Sequence, residues 1–394
     1  MEFIATLAGL LLVTQLVSHL FNRMGVPDVI GQILVGVLAG PAILNWIHPG
    51  GMIDEFQEIG VIILMFIAGL ESDLSLLKKY LKPAVVVAMA GIFLPIIVMG
   101  VAADCFGLRW FESLFIGVIF AATSVSISVA VLREYRQLNS KEGATILGAA
   151  VADDIGAVIV LSVLISMTGG AAGGSDHGGG ALWLTILKQV LFFGGTYLLV
   201  RWLAPYLMHL AGQLMTIAAP SVMAMVICLG MAALADEVGL SGAVGSFFAG
   251  IAVANTKKKT TINRSFIPIG YAIFIPVFFV NVGLSMKLAT NWDSWFFIII
   301  MTILACLTKL FGAGGGAKLM GFDLKSSYII GSGMIARGEM SLITAQIGYE
   351  AKLLSPEYYS DVITVIVLAT LLAPFILKHA LKSTHHLAPA GEND

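Results

Sequence analysis

The stretch Gly148–Leu164 reads GAAVADDIGAVIVLSVL and places two adjacent carboxylates, Asp153 and Asp154, in the middle of an apolar run. The run continues without other charges over Ala144–Met167, about the length that a helix needs to cross a bilayer. Each ionised Asp at that depth costs about 2.5 to 3.5 kcal/mol on the insertion scale. We therefore interpret the pair as a cation or proton site inside the membrane. The alternative is a structural ion pair between helices, which needs a buried cation elsewhere in the chain.

The composition is that of a polytopic membrane protein. The chain has 394 residues, of which 58% are hydrophobic and only 12% charged, and its mean hydropathy is +0.94. A net charge of −2 gives no basic face, which excludes nucleic-acid binding. The three cysteines are isolated, and no nucleotide loop, zinc motif or Ser/His/Asp spacing is present. The sequence therefore predicts a protein that is not an enzyme and has no cofactor.

The apolar runs predict an all-α membrane protein with about thirteen transmembrane helices. Their approximate limits are 3–21, 29–46, 56–72, 83–104, 112–132, 144–167, 183–207, 217–235, 240–255, 266–285, 294–318, 326–348 and 359–380. The segments at 29–46 and 240–255 are short and rich in glycine.

The positive charges predict the orientation, because cytoplasmic loops retain Lys and Arg. With the N-terminus outside, the outer loops hold only Arg109, Lys287 and Lys352. The inner loops then hold fifteen: Arg23, Lys78, Lys79, Lys82, Arg133, Arg136, Lys141, Lys257, Lys258, Lys259, Arg264, Lys318, Lys325, Lys378 and Lys382. We expect an outside N-terminus and a cytoplasmic C-terminus in the plasma (inner) membrane of a bacterium.

An internal repeat relates the two halves of the chain. Gly31–Gly36 (GQILVG) aligns with Gly245–Gly250 (GSFFAG), and Gly69–Leu74 (GLESDL) aligns with Gly283–Leu288 (GLSMKL), both at a displacement of 214 positions. This displacement corresponds to seven spans, and an odd number turns the second copy upside down. Spans 1–6 and 8–13 are thus predicted to form two inverted six-helix repeats, joined by span 7 and by the glycine-rich linker Gly169–Gly180.

Span 5 is predicted to be interrupted. Its run Ala122–Ser128 (ATSVSIS) contains hydroxyl side chains that compete for backbone hydrogen bonds. Thr123 and Ser124 are the candidate ligands in this run, and Ser126 is expected to support the crossover of the broken helices. The alternative is that these hydroxyls bond only to their own backbone.

Span 12, which the repeat pairs with span 5, is predicted to be interrupted as well. Its run Met334–Met340 (MIARGEM) places Arg337 and Glu339 around Gly338 in mid-membrane. Unwound backbone at that depth is tolerated only where it lines a cavity or is buried in protein. We expect the two breaks to cross, with Arg337 beside carbonyl ends and Glu339 beside amide ends in a supporting role.

Lys309 is a buried cation of the kind that an ion pair with one of the aspartates needs, so the two interpretations can share residues. It lies centrally in span 11, too deep for its ammonium to reach either surface. A buried ammonium must pair with a carboxylate or lose its proton. Since consecutive helical residues point about 100° apart, one of Asp153 and Asp154 can face Lys309 while the other faces a cavity.

Four motifs together resemble the cation:proton antiporter-2 family over about residues 10 to 380. They are Ala152–Gly156 (ADDIG), Ala122–Ser126 (ATSVS), Thr308–Leu310 (TKL) and Ala336–Glu339 (ARGE). Within that family the chain looks most like the two-aspartate sodium/proton antiporters. The glutathione-regulated potassium efflux relatives commonly have Gln-Asp where this chain has Asp153-Asp154, and they carry a nucleotide-binding domain.

The resemblance implies an elevator transporter that works as a homodimer in membrane lipid. Within a transmembrane domain at 1–382, it implies a dimer scaffold at about 3–72 and 217–285, a linker helix at 183–207, and a moving core at about 83–167 and 294–380. A short cytoplasmic tail at 383–394 follows.

The resemblance also implies roles for the charged residues. Asp154 would be the principal carboxylate for the monovalent cation or the proton, with Asp153 and Thr123 as further possible cation ligands. Asp153 would pair with Lys309, and cation entry would loosen that pair. The expected activity is electrogenic Na+/H+ exchange, with Na+, K+ or Li+ and H+ as the transported ions.

Three other activities remain as alternatives. A K+/H+ or mixed Na+/K+ antiporter differs only in its cargo. A sodium-coupled organic-solute symporter would share the inverted repeat, but we expect more polar residues at its crossover. An intramembrane aspartyl protease needs its two aspartates on separate facing helices, whereas Asp153 and Asp154 are adjacent.

Overall fold

All regular secondary structure in the described part of the chain is helical. The computed structural model describes residues 2–24, 27–48, 50–167, 179–216, 218–256, 258–286, 292–350 and 352–384. The predicted linker Gly169–Gly180 and the tail at 383–394 therefore lie mostly outside the described residues. The all-α prediction is confirmed for these ranges.

The helices have the following bounds: α1 Glu2–Arg23, α2 Asp28–Ala39, α3 Met52–Glu71, α4 Leu74–Lys79, α5 Leu81–Cys105, α6 Trp110–Ile119, α7 Val125–Glu134, α8 Lys141–Met167, α9 Gly179–Leu198, α10 Ala204–Ala211, α11 Ala219–Glu237, α12 Gly242–Ala254, α13 Lys259–Ile269, α14 Ile275–Leu284, α15 Trp292–Leu319, α16 Leu324–Gly333, α17 Gly338–Glu350 and α18 Pro356–Thr384. A π-helical turn at Leu199–Leu203 joins α9 to α10, and another at Gly270–Phe274 joins α13 to α14.

Eight helices in the described ranges are long and apolar enough to cross a membrane: α1, α5, α8, α9 with α10, α11, α13 with α14, α15 and α18. Three shorter apolar helices are α2, α6 and α12. The helix made of α13 and α14 begins at Lys259, whereas the sequence predicted 266. Its first turns contain the polar residues Asn263, Arg264 and Ser265. These residues lie outside the apolar run, so the predicted start is too late.

Two groups of packed helices share a boundary. In the first helix group, α2 and α3 pack against α14, and α3 also packs against α12, with α1 and α11 at the sides. In the second helix group, α5 packs against α6, α8 and α15, and α15 packs against α16 and α18. Contacts of α7 with α3 and of α18 with α2 join the groups. The aspartate pair, on α8, lies in the second helix group.

Glycine pairs allow the closest helix crossings in the first helix group. Gly36 of α2 lies against Gly283 of α14, and Gly69 of α3 lies against Gly250 of α12. A Cβ atom on any of the four would overlap a backbone carbonyl of the facing helix. These backbones therefore approach closely only because the side chains are absent.

Replacing Gly69 with Ala is expected to destabilise the protein by about 1 to 3 kcal/mol, the usual cost of forcing extra atoms into a packed core. The added Cβ would overlap the Phe247 carbonyl, which is backbone and cannot rotate away. Gly230→Ala in α11 is the matched control, because a Cβ there meets open space. Thermal unfolding in detergent measures both variants. Equal melting temperatures for Gly69→Ala and Gly230→Ala would contradict the close crossing.

Candidate ion-binding site

Two interrupted helices cross within the second helix group. Non-helical segments separate α6 from α7 and α16 from α17, and the amide of Ser124 donates a hydrogen bond to the Ala336 carbonyl at 2.9 Å. Gly338 has a φ of +52°, and a Cβ there would overlap the Ser124 side chain. Glycine is therefore required at this position both for its backbone conformation and for the crossing.

Arg337 is buried at the crossing with a relative exposure of 0%. Its guanidinium donates to the carbonyl of Ala305 at 2.6 Å and to that of Ala122 at 3.4 Å, and it lies 5.9 Å from the ring centroid of Phe120. The Ala122 carbonyl follows the end of α6, where backbone oxygens lack helical partners. Arg337 thus supplies positive charge to one carbonyl of the broken helix, Ala122, and to one of α15, Ala305.

Two further hydroxyls lie at the crossing, and the sequence predicted no role for either of them. The Thr370 hydroxyl on α18 accepts hydrogen bonds from the amide of Gly338, the first residue of α17, at 3.2 Å and from that of the preceding Arg337 at 3.3 Å. The Ser341 hydroxyl donates to the carbonyls of Ile119 at 3.0 Å and Ala122 at 3.2 Å. In the sequence each of these residues is a hydroxyl inside a helix. That pattern does not show which backbone group the hydroxyl binds.

The sequence predicts that the Glu339 side chain lies beside the amide ends of the broken helices. That side chain lies outside the described residues. That role therefore stays a prediction, and in the described part the Thr370 hydroxyl partners these amides.

Asp153 and Lys309 form a buried ion pair between α8 and α15. The Lys309 Nζ lies 3.0 Å from the Asp153 Oδ1, and the two side chains are 0% and 1% exposed. The second oxygen, Asp153 Oδ2, has no protein hydrogen-bond partner within the described ranges. A buried pair of this kind tolerates loss of one partner poorly, because the remaining charge is left in a medium of low dielectric.

Asp154 faces a separate cavity. It is 7% exposed and lines a space of about 20 Å³ together with Thr123, Ser124 and Ser126. The hydroxyl oxygens of Thr123 and Ser126 are buried, with no hydrogen-bond partner among the residues that the structure describes. The space can hold one water molecule or one ion of similar size, and its oxygen atoms are the ligand type that hard cations prefer.

The cavity lies on the boundary between the two helix groups. Met65 of α3 and the segment Ser241–Phe247 at the start of α12 contribute its wall from the first helix group. Asp154 and the hydroxyls of the α6–α7 break contribute the wall from the second.

The neighbouring carboxylates thus have different surroundings. Asp153 points to Lys309 on one side of α8, and Asp154 points to the cavity on another, as the angle of about 100° between consecutive helical residues allows. One carboxylate is neutralised by a fixed ammonium. The other lies where a mobile cation or a proton can reach it.

Sequence comparison relates this chain to transporters. The family model described as sodium/hydrogen exchanger, transmembrane, matches residues 7–383. A Na+/H+ antiporter of Enterococcus hirae is 48% identical over 385 residues, covering 98% of this chain and 100% of that protein. The Na+/H+-K+ antiporter GerN of Bacillus cereus is 38% identical over 386 residues, covering 96% of each.

A solved structure shows the same fold. The sodium proton antiporter MjNhaP1 of Methanocaldococcus jannaschii superposes with a TM-score of 0.69 at 18% identity, covering 100% of this chain and 99% of that chain. At this identity the similarity concerns the fold alone. The family match, by contrast, spans nearly the whole sequence. This chain belongs to the sodium/hydrogen exchanger family of integral membrane antiporters.

Proposed function

We propose that this protein exchanges Na+ for H+ by a mechanism in which Asp154 binds either the cation or the proton. The observation that carries the proposal is the separation of the two carboxylates, with Asp153 held by Lys309 and Asp154 in its own cavity. A cavity of about 20 Å³ has room for one small ion. A site that holds one cargo at a time couples their movement, because one must leave before the other enters.

Cation entry also acts on the neighbouring ion pair in this proposal. A positive charge at Asp154 lies beside the adjacent Asp153, so Asp153 can turn its second, unpartnered oxygen towards the cation. The contact between Asp153 and Lys309 then loosens, and the Lys309 ammonium releases its proton. Exchange of two protons for one cation moves one net charge per cycle, so the membrane potential drives it with about 2.3 kcal/mol per 100 mV.

We further propose that the second helix group moves as a body against the first, as in an elevator. The position of the Asp154 cavity on the boundary supports this. In this proposal the first helix group is the scaffold, α9 with α10 is the linker, and the second helix group is the moving core. Asp154 and the hydroxyls of the α6–α7 break would travel with the moving body.

An inverted repeat and thirteen membrane passes are part of the same proposal. The displacement of 214 positions relates Gly36 to Gly250 and Gly69 to Gly283. It therefore converts the contact between Gly36 and Gly283 into the contact between Gly250 and Gly69. A two-fold relation between the halves requires such a pair of contacts. Thirteen passes result if α6 with α7, α9 with α10, α13 with α14 and α16 with α17 each count as one pass and the six-residue helix α4 is left out.

The remaining assignments follow the sequence expectations. The protein is proposed to act as a homodimer in the bacterial plasma membrane, with an outside N-terminus and a cytoplasmic C-terminus. The second candidate function is K+/H+ or mixed Na+/K+ exchange. It is favoured by the relative GerN, whose name includes both ions.

Proton flux in proteoliposomes tests the proposal. We expect Na+ or Li+ to dissipate an imposed proton gradient and choline not to do so, and we expect an imposed membrane potential to change the rate. K+ equal to Na+ would favour the second candidate function. No cation-dependent flux from reconstituted, folded protein would contradict both.

A further inference from the structure

An ion pair joins the two helix groups at the end of α7. Arg133 donates from Nε to the Glu71 Oε2 at 2.7 Å and from Nη2 to the Glu71 Oε1 at 3.0 Å. Glu71 is the last residue of α3 in the first helix group, whereas α7 belongs to the interrupted helix that carries the Asp154 cavity. A bidentate guanidinium–carboxylate pair is directional, so it fixes α7 in one position along α3.

Other contacts surround this pair. The Arg133 guanidinium lies 4.7 Å from the ring centroid of Tyr271, which is in the π-helical turn between α13 and α14. Asn139, in the loop between α7 and α8, donates to the backbone carbonyl of Glu71 at 2.8 Å and accepts from the amide of Asp73 at 3.0 Å. The end of α3 is therefore held through its side chain and its backbone.

The pair and its neighbours form one wall of a second cavity on the boundary, with a volume of about 700 Å³. Asp28 and Lys259, which begin α2 and α13, also line it. The proposed topology places both of these helix starts on the cytoplasmic side. The ion pair thus stands at the proposed cytoplasmic end of the boundary on which Asp154 lies.

We propose that Glu71 and Arg133 are positioning residues of the exchange cycle, whose ion pair holds the second helix group at one end of its movement and opens in every turnover. The inference rests on the elevator movement proposed above. A shift of one helical turn, about 5.4 Å, would separate both hydrogen bonds. The Arg133 side chain is 21% exposed and the Glu71 side chain is 25% exposed. Water can therefore replace the lost hydrogen bonds, so the pair can open and close.

A matched control exists within the moving body. Lys141 on α8 and Asp323 at the start of α16 form an exposed ion pair at 3.3 Å. Both residues belong to the second helix group, so rigid movement of that group leaves their separation unchanged. Lys141→Gln removes an ion pair at the same end of the molecule without acting on the boundary.

Distance measurement between spin labels tests the proposal. Lys325→Cys on α16 and Thr261→Cys on α13 place exposed labels on the two groups, in a Cys105→Ser background because Cys105 is the exposed native cysteine. The reconstituted protein is expected to show two distances whose proportions respond to Na+ and pH. Glu71→Gln and Arg133→Gln should each change that proportion in the same direction, by about threefold to fivefold for a partly exposed pair.

Exchanging the charges, Glu71→Arg with Arg133→Glu, should reverse the change, and Lys141→Gln should leave the proportion as it is. Transport assays on the single variants should show an altered maximal rate with an unchanged ratio of Na+ to K+ affinity, because neither residue touches the cation. Unchanged proportions in both single variants, or no reversal on charge exchange, would overturn the role of the pair. A single distance in the parent protein under all conditions would instead overturn the elevator movement.

Discussion

Asp154→Asn is expected to abolish cation-dependent proton flux. Asn has nearly the shape of Asp but carries no charge and cannot take up the transported proton, so the cavity loses both cargoes. The expected loss is at least about a hundredfold, since even one charge-assisted contact is worth about 1.5 to 3 kcal/mol and the proton route is removed as well. Flux in proteoliposomes, at matched protein density, measures it.

Asp361→Asn is the matched control for this result. Asp361 is also a buried aspartate of the second helix group, 5% exposed on α18, but it lines a different cavity together with Glu357. We expect this variant to retain most of the flux. Equal losses in Asp154→Asn and Asp361→Asn would mean that any buried aspartate is needed for folding and would contradict the assigned role.

Lys309→Ala is expected to make the exchange insensitive to membrane potential. The variant leaves Asp153 without its ammonium, and the stranded carboxylate either takes up a proton or destabilises the protein by about 3 to 5 kcal/mol. The cycle then loses the proton that Lys309 supplies. At 100 mV the parent protein should hold a Na+ gradient about fiftyfold larger than an electroneutral exchanger could, which is 2.3 kcal/mol expressed as a concentration ratio.

A double variant separates the two effects of Lys309. Asp153→Asn with Lys309→Gln removes both charges together, so no charge is stranded and the melting temperature should recover relative to Lys309→Ala. The response to potential should not recover, because the carrier of the second proton is still absent. Exchange that still follows the potential in either variant would show that Lys309 does not carry charge.

The charged parts of the site could be predicted because their cost in the membrane makes them conspicuous in the sequence. Asp153, Asp154 and Lys309 stand out in apolar runs, and Arg337 beside Gly338 indicates an interrupted helix. The structure brings Asp153 and Lys309 together across 156 positions of the chain. Which aspartate pairs with the lysine depends on how α8 is rotated against α15, and composition and spacing leave that open.

The supporting contacts could not be predicted because they join distant residues of ordinary types. Thr370 is one hydroxyl among several in α18, and its hydrogen bonds to the start of α17 depend on how these helices pack. Arg133 counted in the sequence only as an inner-loop charge. Its pairing with Glu71 arises from the packing of α7 on α3, which no local pattern encodes.

Asp154 is proposed to hold either a cation or a proton, and the pH dependence of Na+ binding is the direct test of this exchange. Binding of Na+ to the purified protein, measured by calorimetry across pH together with the protons released, gives both quantities in one experiment. We expect that, under acidic conditions, the apparent Na+ affinity falls about tenfold for each lower pH unit per proton displaced, with matching proton release, and that Asp154→Asn binds no Na+. An Na+ affinity that does not vary with pH, with no protons released, would contradict it.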